Sequence, residues 1–171
     1  QGAQGTPRVA LVSRLPLREV VSHAQFAPGQ TFQIPEIGEQ KGFERPVLEG
    51  IVDLPDGRGM LRVLTTHLKS KRPKFLQNEA GEPLEDRDDP LIAARATVRS
   101  LLMRGGEAAA LRAIVLQRLA RTREPLVLMG DLNDSPHSVT TQIVAATQAI
   151  AYDRAARDTA LFHAPDVQSD A

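Results

Sequence analysis

The 171-residue chain contains no cysteine. That absence excludes a disulfide scaffold and any thiolate metal site, and it leaves carboxylate, amide and imidazole groups as the available metal ligands. A charge imbalance is also missing. Lysine plus arginine and aspartate plus glutamate stand at 21 each, a net charge of zero with His neutral, so there is no global electrostatic case for nucleic-acid binding and any basic patch must be local. No apolar run approaches the length of a membrane span, and no signal peptide precedes the first expected strand. A soluble protein is expected, with its compartment and oligomeric state undetermined. No repeat, low-complexity tract or linker divides the chain, and its length suits one domain or part of one.

What is present centres on Pro125 to Pro136, PLVLMGDLNDSP. Leu126, Val127, Leu128 and Met129 form a continuous apolar run, which predicts a central strand covered on both faces. Beyond Gly130 come Asp131, Asn133 and Asp134, oxygen-bearing side chains delivered to the carboxyl end of that strand, where polar groups need water, metal or ligand. If the chain stays extended, Asp131 and Asn133 point the same way and could share one hard cation or one phosphate. The competing interpretation is an Asx-type turn leading into a helix capped by Ser138.

Taken in order, Arg8 to Ser13 predicts a short buried strand. Leu17 to Gly42 predicts irregular connection, with one edge strand around Thr31 to Ile34. Val47 to Leu54 and Met60 to Thr66 predict a β-hairpin closed by Pro55 to Gly59. In the second strand Leu61, Val63, Thr65 and His67 share one face, which puts His67 at the carboxyl end in line with apolar residues. Directly after it Lys69, Lys71, Arg72 and Lys74 crowd one loop, beside His67, where they would draw an anionic substrate. Phe75 to Asp89 predicts a mobile acidic surface loop. From Pro90, one long helix is expected to bury Ala94, Val98, Leu101, Leu102, Gly105, Ala108, Leu111, Val115 and Leu119, with an arginine-rich face outward. Ser138 to Ala151 has helical spacing, and Tyr152 to Ala171 turns polar and weakly structured.

Three stretches together resemble the endonuclease/exonuclease/phosphatase family of metal-dependent phosphoesterases. They are Arg45-Pro46 before a strand, Thr66-His67-Leu68-Lys69-Ser70 after one, and Gly130-Asp131-Leu132-Asn133 after another; Arg8 to Arg14 and the arginine-rich helix add to the likeness. The resemblance implies an α/β fold, a four-layer sandwich of two packed mixed β-sheets flanked by helices, here incomplete, with the site at one rim. It implies that Asp131 orients or deprotonates the attacking water and that Asn133 binds the scissile phosphate or the metal shell. His67 would stabilise charge on the phosphate or leaving group. Arg45 would be a phosphate-side or structural arginine, with Lys69 and Ser70 beside the substrate. The implied cofactor is magnesium or manganese, held by Asp131 and Asn133. The implied partner is an anionic phosphoester, nucleic acid among the candidates.

The chemistry is coherent with these residue types. Phosphoester cleavage builds negative charge on the phosphoryl and departing oxygens, so a divalent cation and fixed donors stabilise the transition state while a carboxylate positions water. Departures from the family pattern are equally specific. Its early Asn and metal-binding Glu, and its late Ser-Asp-His, are not identifiable; Ser169-Asp170-Ala171 shares two letters with the last by coincidence. An internal fragment of a larger domain, negligibly active alone, is therefore expected. The leading expectation is a nuclease-like phosphodiesterase, against phosphatase or sphingomyelinase-type activity, or a non-catalytic interaction module.

Overall fold

The computed structural model describes residues 9–120, 122, 124–147 and 158–164. The fold is α/β. Among the described residues six strands and two helices follow in the order β1 (Leu17–Gln25), β2 (Phe32–Ile34), β3 (Gly38–Gln40), β4 (Gly42–Asp53), β5 (Met60–His67), α1 (Pro90–Leu119), β6 (Leu126–Asp131) and α2 (Val139–Ala145). A mixed four-stranded sheet has the order β1-β4-β5-β6, and β2 pairs with β3 in a second, two-stranded sheet. The expected hairpin forms: β4 and β5 are antiparallel, and Leu54 N–H donates to Gly59 O across the turn at 2.9 Å. β5 and β6, joined through α1, are parallel.

Alternation along β4 and β5 sets which side chains meet α1. Phe43 and Val47 of β4 and Leu64 of β5 join Ala108, Leu111 and Val115 of the helix in one buried cluster. Phe26 closes it, edge-on to Phe43 with ring centroids 5.0 Å apart. At the far end of this face Glu49, 1% exposed, receives Arg62, Arg118 and His23, so the carboxylate is buried only because it is fully paired. Burial works against ionisation of Glu49, but these three partners outweigh it and hold its carboxyl below the ordinary value.

Several expectations are corrected. Residues 9–13 form no strand, and Val12 is 92% exposed; among the described residues no strand pairs with this stretch. The neighbour of β4 is instead β1, within the stretch expected to be irregular. Its alternation is hidden because Arg18, Glu19, Ser22 and Gln25 leave no apolar face on an edge strand that stays largely exposed. Among the described residues β6 is not central: it lies at the edge of the sheet, with Leu126 and Leu128 against the core while Val127 and Met129 face out, 38% and 45% exposed.

Helix α1 is continuous through Gly105-Gly106, with Asp89 capping it by accepting from Leu91 and Ile92 N–H. Its first half, however, turns the opposite face inward from the one expected. Arg99, Ser100 and Arg104 are buried, whereas Val98, Leu101 and Leu102 are exposed. The cause is what that half packs against: carbonyls and carboxylates rather than the apolar cluster. Arg99 donates to Lys74 O and pairs with Glu85 and Glu36, and Ser100 Oγ donates to Ser70 O at 2.7 Å. The acidic loop is thereby pinned at Glu85, which also accepts from Leu76 N–H. Among the described residues no helix is long and apolar enough to cross a membrane. Ser138 caps α2 as expected, but the helix stops at Ala145, where Ala146 turns left-handed as its C-cap; the rest of the expected span, from residue 148 on, lies outside the described residues, as does most of the polar tail.

Candidate active site

Because β5 and β6 are parallel, their carboxyl ends emerge together. His67 and Asp131 are register partners at the end of that ladder, and Nε2 of His67 stands 3.8 Å from Oδ2 of Asp131, with both side chains partly open to solvent. Alternation puts both on the sheet face away from α1. The residue before Asp131 makes this approach possible. Gly130 has φ +122°, and a Cβ there would lie 2.0 Å from Thr66 O, so no larger residue fits.

Beyond Asp131 the backbone does not stay extended. Asn133 N–H donates to Asp131 Oδ1 at 2.7 Å, and Asn133 adopts φ +54°, a left-handed conformation that asparagine tolerates. The Asx-type turn therefore forms, and Asp131 and Asn133 do not align as an extended pair. Asn133 instead turns back and donates its Nδ2 to Leu68 O at 2.8 Å, leaving its amide oxygen as the remaining acceptor. Turn and site are the same structure here.

Leu68 is the hub. Its N–H donates to Asp131 O at 3.0 Å, and its carbonyl accepts from both Asn133 and Arg45 Nη1, the latter at 3.0 Å. Arg45 also reaches His67 O at 3.1 Å and is 9% exposed. It fastens the backbone of the His67 segment. Lys69, expected in a basic loop that draws an anionic substrate, is 5% exposed; burial holds its ammonium below the ordinary value, and Nζ lies 3.4 Å from Ser70 O and Oγ. Ser70 is half-buried, with its carbonyl occupied by Ser100.

Glu107, Arg104 and Thr140 escaped the sequence reading of this region. Glu107, fully buried in α1, accepts from Glu44 N–H at 2.7 Å and Lys69 N–H at 2.6 Å. Arg104 and Lys71 both meet Asp134, at 3.4 and 2.9 Å, and Thr140 Oγ1 donates to the same carboxylate at 2.5 Å. Burial opposes ionisation of Asp134, but Lys71, Thr140 and the Ser135 N–H outweigh it and hold the carboxyl far below its usual range. Asp134 thus ties the basic loop to the turn after β6. The available signal was charge at helical spacing, Arg104 and Glu107 in line with Ala108 and Leu111, which on an isolated helix reads as solvated surface.

Asp131 and Asn133 offer a carboxylate and an amide oxygen, hard donors of the kind magnesium and manganese take. They fit such an ion in kind and would supply part of its coordination shell; among the described residues no group of three or more His, Cys, Asp or Glu side chains could hold a metal. The family model of the endonuclease/exonuclease/phosphatase family matches residues 2–167, nearly the whole chain. The chain belongs to that family. Members of the endonuclease/exonuclease/phosphatase family hydrolyse phosphoesters and depend in general on a divalent metal. No curated protein and no solved structure matches the chain.

Proposed function

We propose that the protein is a divalent-metal-dependent phosphoesterase whose central activity is nuclease-like hydrolysis of a phosphodiester by water. The observation that carries this is the meeting of His67 and Asp131 across one parallel ladder, with Asn133 folded against the same rim. Asp131 accepts a proton from, or orients, the attacking water, since its carboxylate is largely exposed and only one oxygen is engaged by Asn133 N–H. His67 stands on the same face and donates to the phosphoryl or departing oxygen as charge accumulates there.

Asn133, fixed through Leu68, presents its amide oxygen to the metal shell. A magnesium or manganese ion held by Asp131 and Asn133 would supply Lewis-acid stabilisation of the phosphoryl oxygens. Arg45 acts as a structural arginine, because its Nη1 holds two backbone carbonyls of the His67 segment. Lys69 and Ser70 lie beside the substrate, with Lys69 adding positive charge from a partly dehydrated position where its field is poorly screened. Phosphatase or sphingomyelinase-type action would use the same residues, and substrate preference separates them.

The test is hydrolysis by the full-length protein of a bis-aryl phosphodiester, a phosphomonoester, sphingomyelin, and single-stranded and duplex DNA, with magnesium or manganese and with chelator. Chelator-sensitive release from the diester and DNA supports the nuclease-like activity. Turnover confined to the monoester or to sphingomyelin moves the assignment within the family. No turnover of any phosphoester would favour a non-catalytic interaction module.

A further inference from the structure

Glu107 sits midway along α1, its side chain without access to solvent, and each of its oxygens accepts one backbone amide: Glu44 N–H on β4 and Lys69 N–H just past β5. An ionised carboxylate so placed is a costly choice, and an apolar side chain would serve helix packing better. What the carboxylate adds is a connection from the helix to the rim. The His67–Lys69 segment is otherwise held by Arg45 from β4 and by Asp131 and Asn133 from the end of β6. Glu107 grips it from the third side, and grips Glu44, the neighbour of Arg45, at the same time.

We propose that Glu107 is a positioning residue for the rim, whose two amide bonds set the His67–Lys69 segment so that His67 stands against Asp131. An ionised carboxylate accepts both N–H groups; once protonated, one oxygen becomes a donor and one bond weakens. Burial pushes the Glu107 carboxyl up to about 7, with the two amide bonds acting in the opposite direction. The charged groups around it are Glu44 and Arg45 from β4, Lys69 from the loop after β5, and Arg104 one turn earlier on the helix, already engaged with Asp134. The grip is therefore complete above neutrality and loosens below it.

The structural part of this inference is independent of the reaction; only its kinetic arm rests on the phosphoesterase assignment. Backbone NMR signals of the full-length protein are followed from pH 5 to 9. The Lys69 and Glu44 amides are expected to titrate together with a midpoint of about 7, the His67 backbone amide is expected to share that midpoint, and Glu107→Gln is expected to remove it from all three. In hydrolysis, Glu107→Gln is expected to lower kcat by about ten- to hundredfold with KM changed less than about twofold, because the segment shifts without losing substrate contacts. Glu107→Asp, one methylene shorter, recovers part of the loss.

Lys69 and Glu44 amides that do not titrate together in the unaltered protein would overturn the proposal, even if Glu107→Gln does not fold. So would a folded Glu107→Gln protein with unchanged His67 signals and unchanged kcat. If the unaltered protein hydrolyses no phosphoester, the phosphoesterase assignment fails while the NMR titration still decides the role of Glu107.

Discussion

Gly130 approaches Thr66 so closely that a Cβ on it would stand 2.0 Å from the Thr66 carbonyl oxygen. That contact lets β6 keep its parallel register on β5 up to the last pair, His67 and Asp131. Gly130→Ala combines a clash with backbone, which cannot rotate away, and a φ of +122° that an L side chain rarely adopts. The expected loss in stability is roughly 3 kcal/mol or more, measured from urea denaturation. A variant with the unaltered midpoint and slope would show that the strands do not need this closeness.

Asp134 gives a pH dependence with a definite sign. Its folded pKa lies below the ordinary 3.8, so its contribution to stability is present above that value and is lost as pH falls through the acid range. Asp134→Asn should cost on the order of 2 kcal/mol at neutral pH, since Lys71, Arg104 and Thr140 lose an ionised partner. Below about pH 4 the gap between the two proteins should narrow. Denaturation curves at pH 7 and pH 3 measure it, and a gap that widens on acidification would contradict the assignment.

The hairpin, the long helix, the capping Ser138 and the positions of His67 and Asp131 at strand ends were legible in the sequence because each rests on local pattern: turn residues, helical spacing, an apolar run that stops at glycine. What was not legible depends on the partner an element finds. The first half of α1 carries apolar residues at helical spacing, yet Arg99 and Arg104 are the ones turned inward, drawn by Glu85, Glu36 and Asp134 from distant segments. In the same way the apolar run of β6 reads as a central strand, but periodicity cannot say how many strands flank it. At the site, residue types were readable and the turn was not resolved, because an Asx turn and an extended ligand pair use the same letters.

The basic loop divides into parts with different expected behaviour. Lys69 is buried and Lys71 is paired with Asp134, whereas Arg72 is exposed. Arg72→Ala should weaken binding of an anionic substrate at low salt and leave it nearly unchanged at high salt, where the field of an exposed charge is screened. Lys69→Ala should weaken it at both. Titration of a non-hydrolysable phosphodiester at two ionic strengths checks this; equal salt dependence for the two variants would remove the distinction.

The central claim is that His67 and Asp131, joined at the end of one ladder, form the reacting rim of a metal-dependent phosphoesterase. Its most direct test is single-turnover hydrolysis of a phosphodiester by the full-length protein with magnesium or manganese, compared with Asp131→Asn, His67→Ala and the double variant. The single substitutions should each remove nearly all activity, on the order of a thousandfold, without unfolding the protein, and the double variant should be little worse than either, because the groups act as a unit. Folded single variants that retain activity within a fewfold of the unaltered protein would contradict the account.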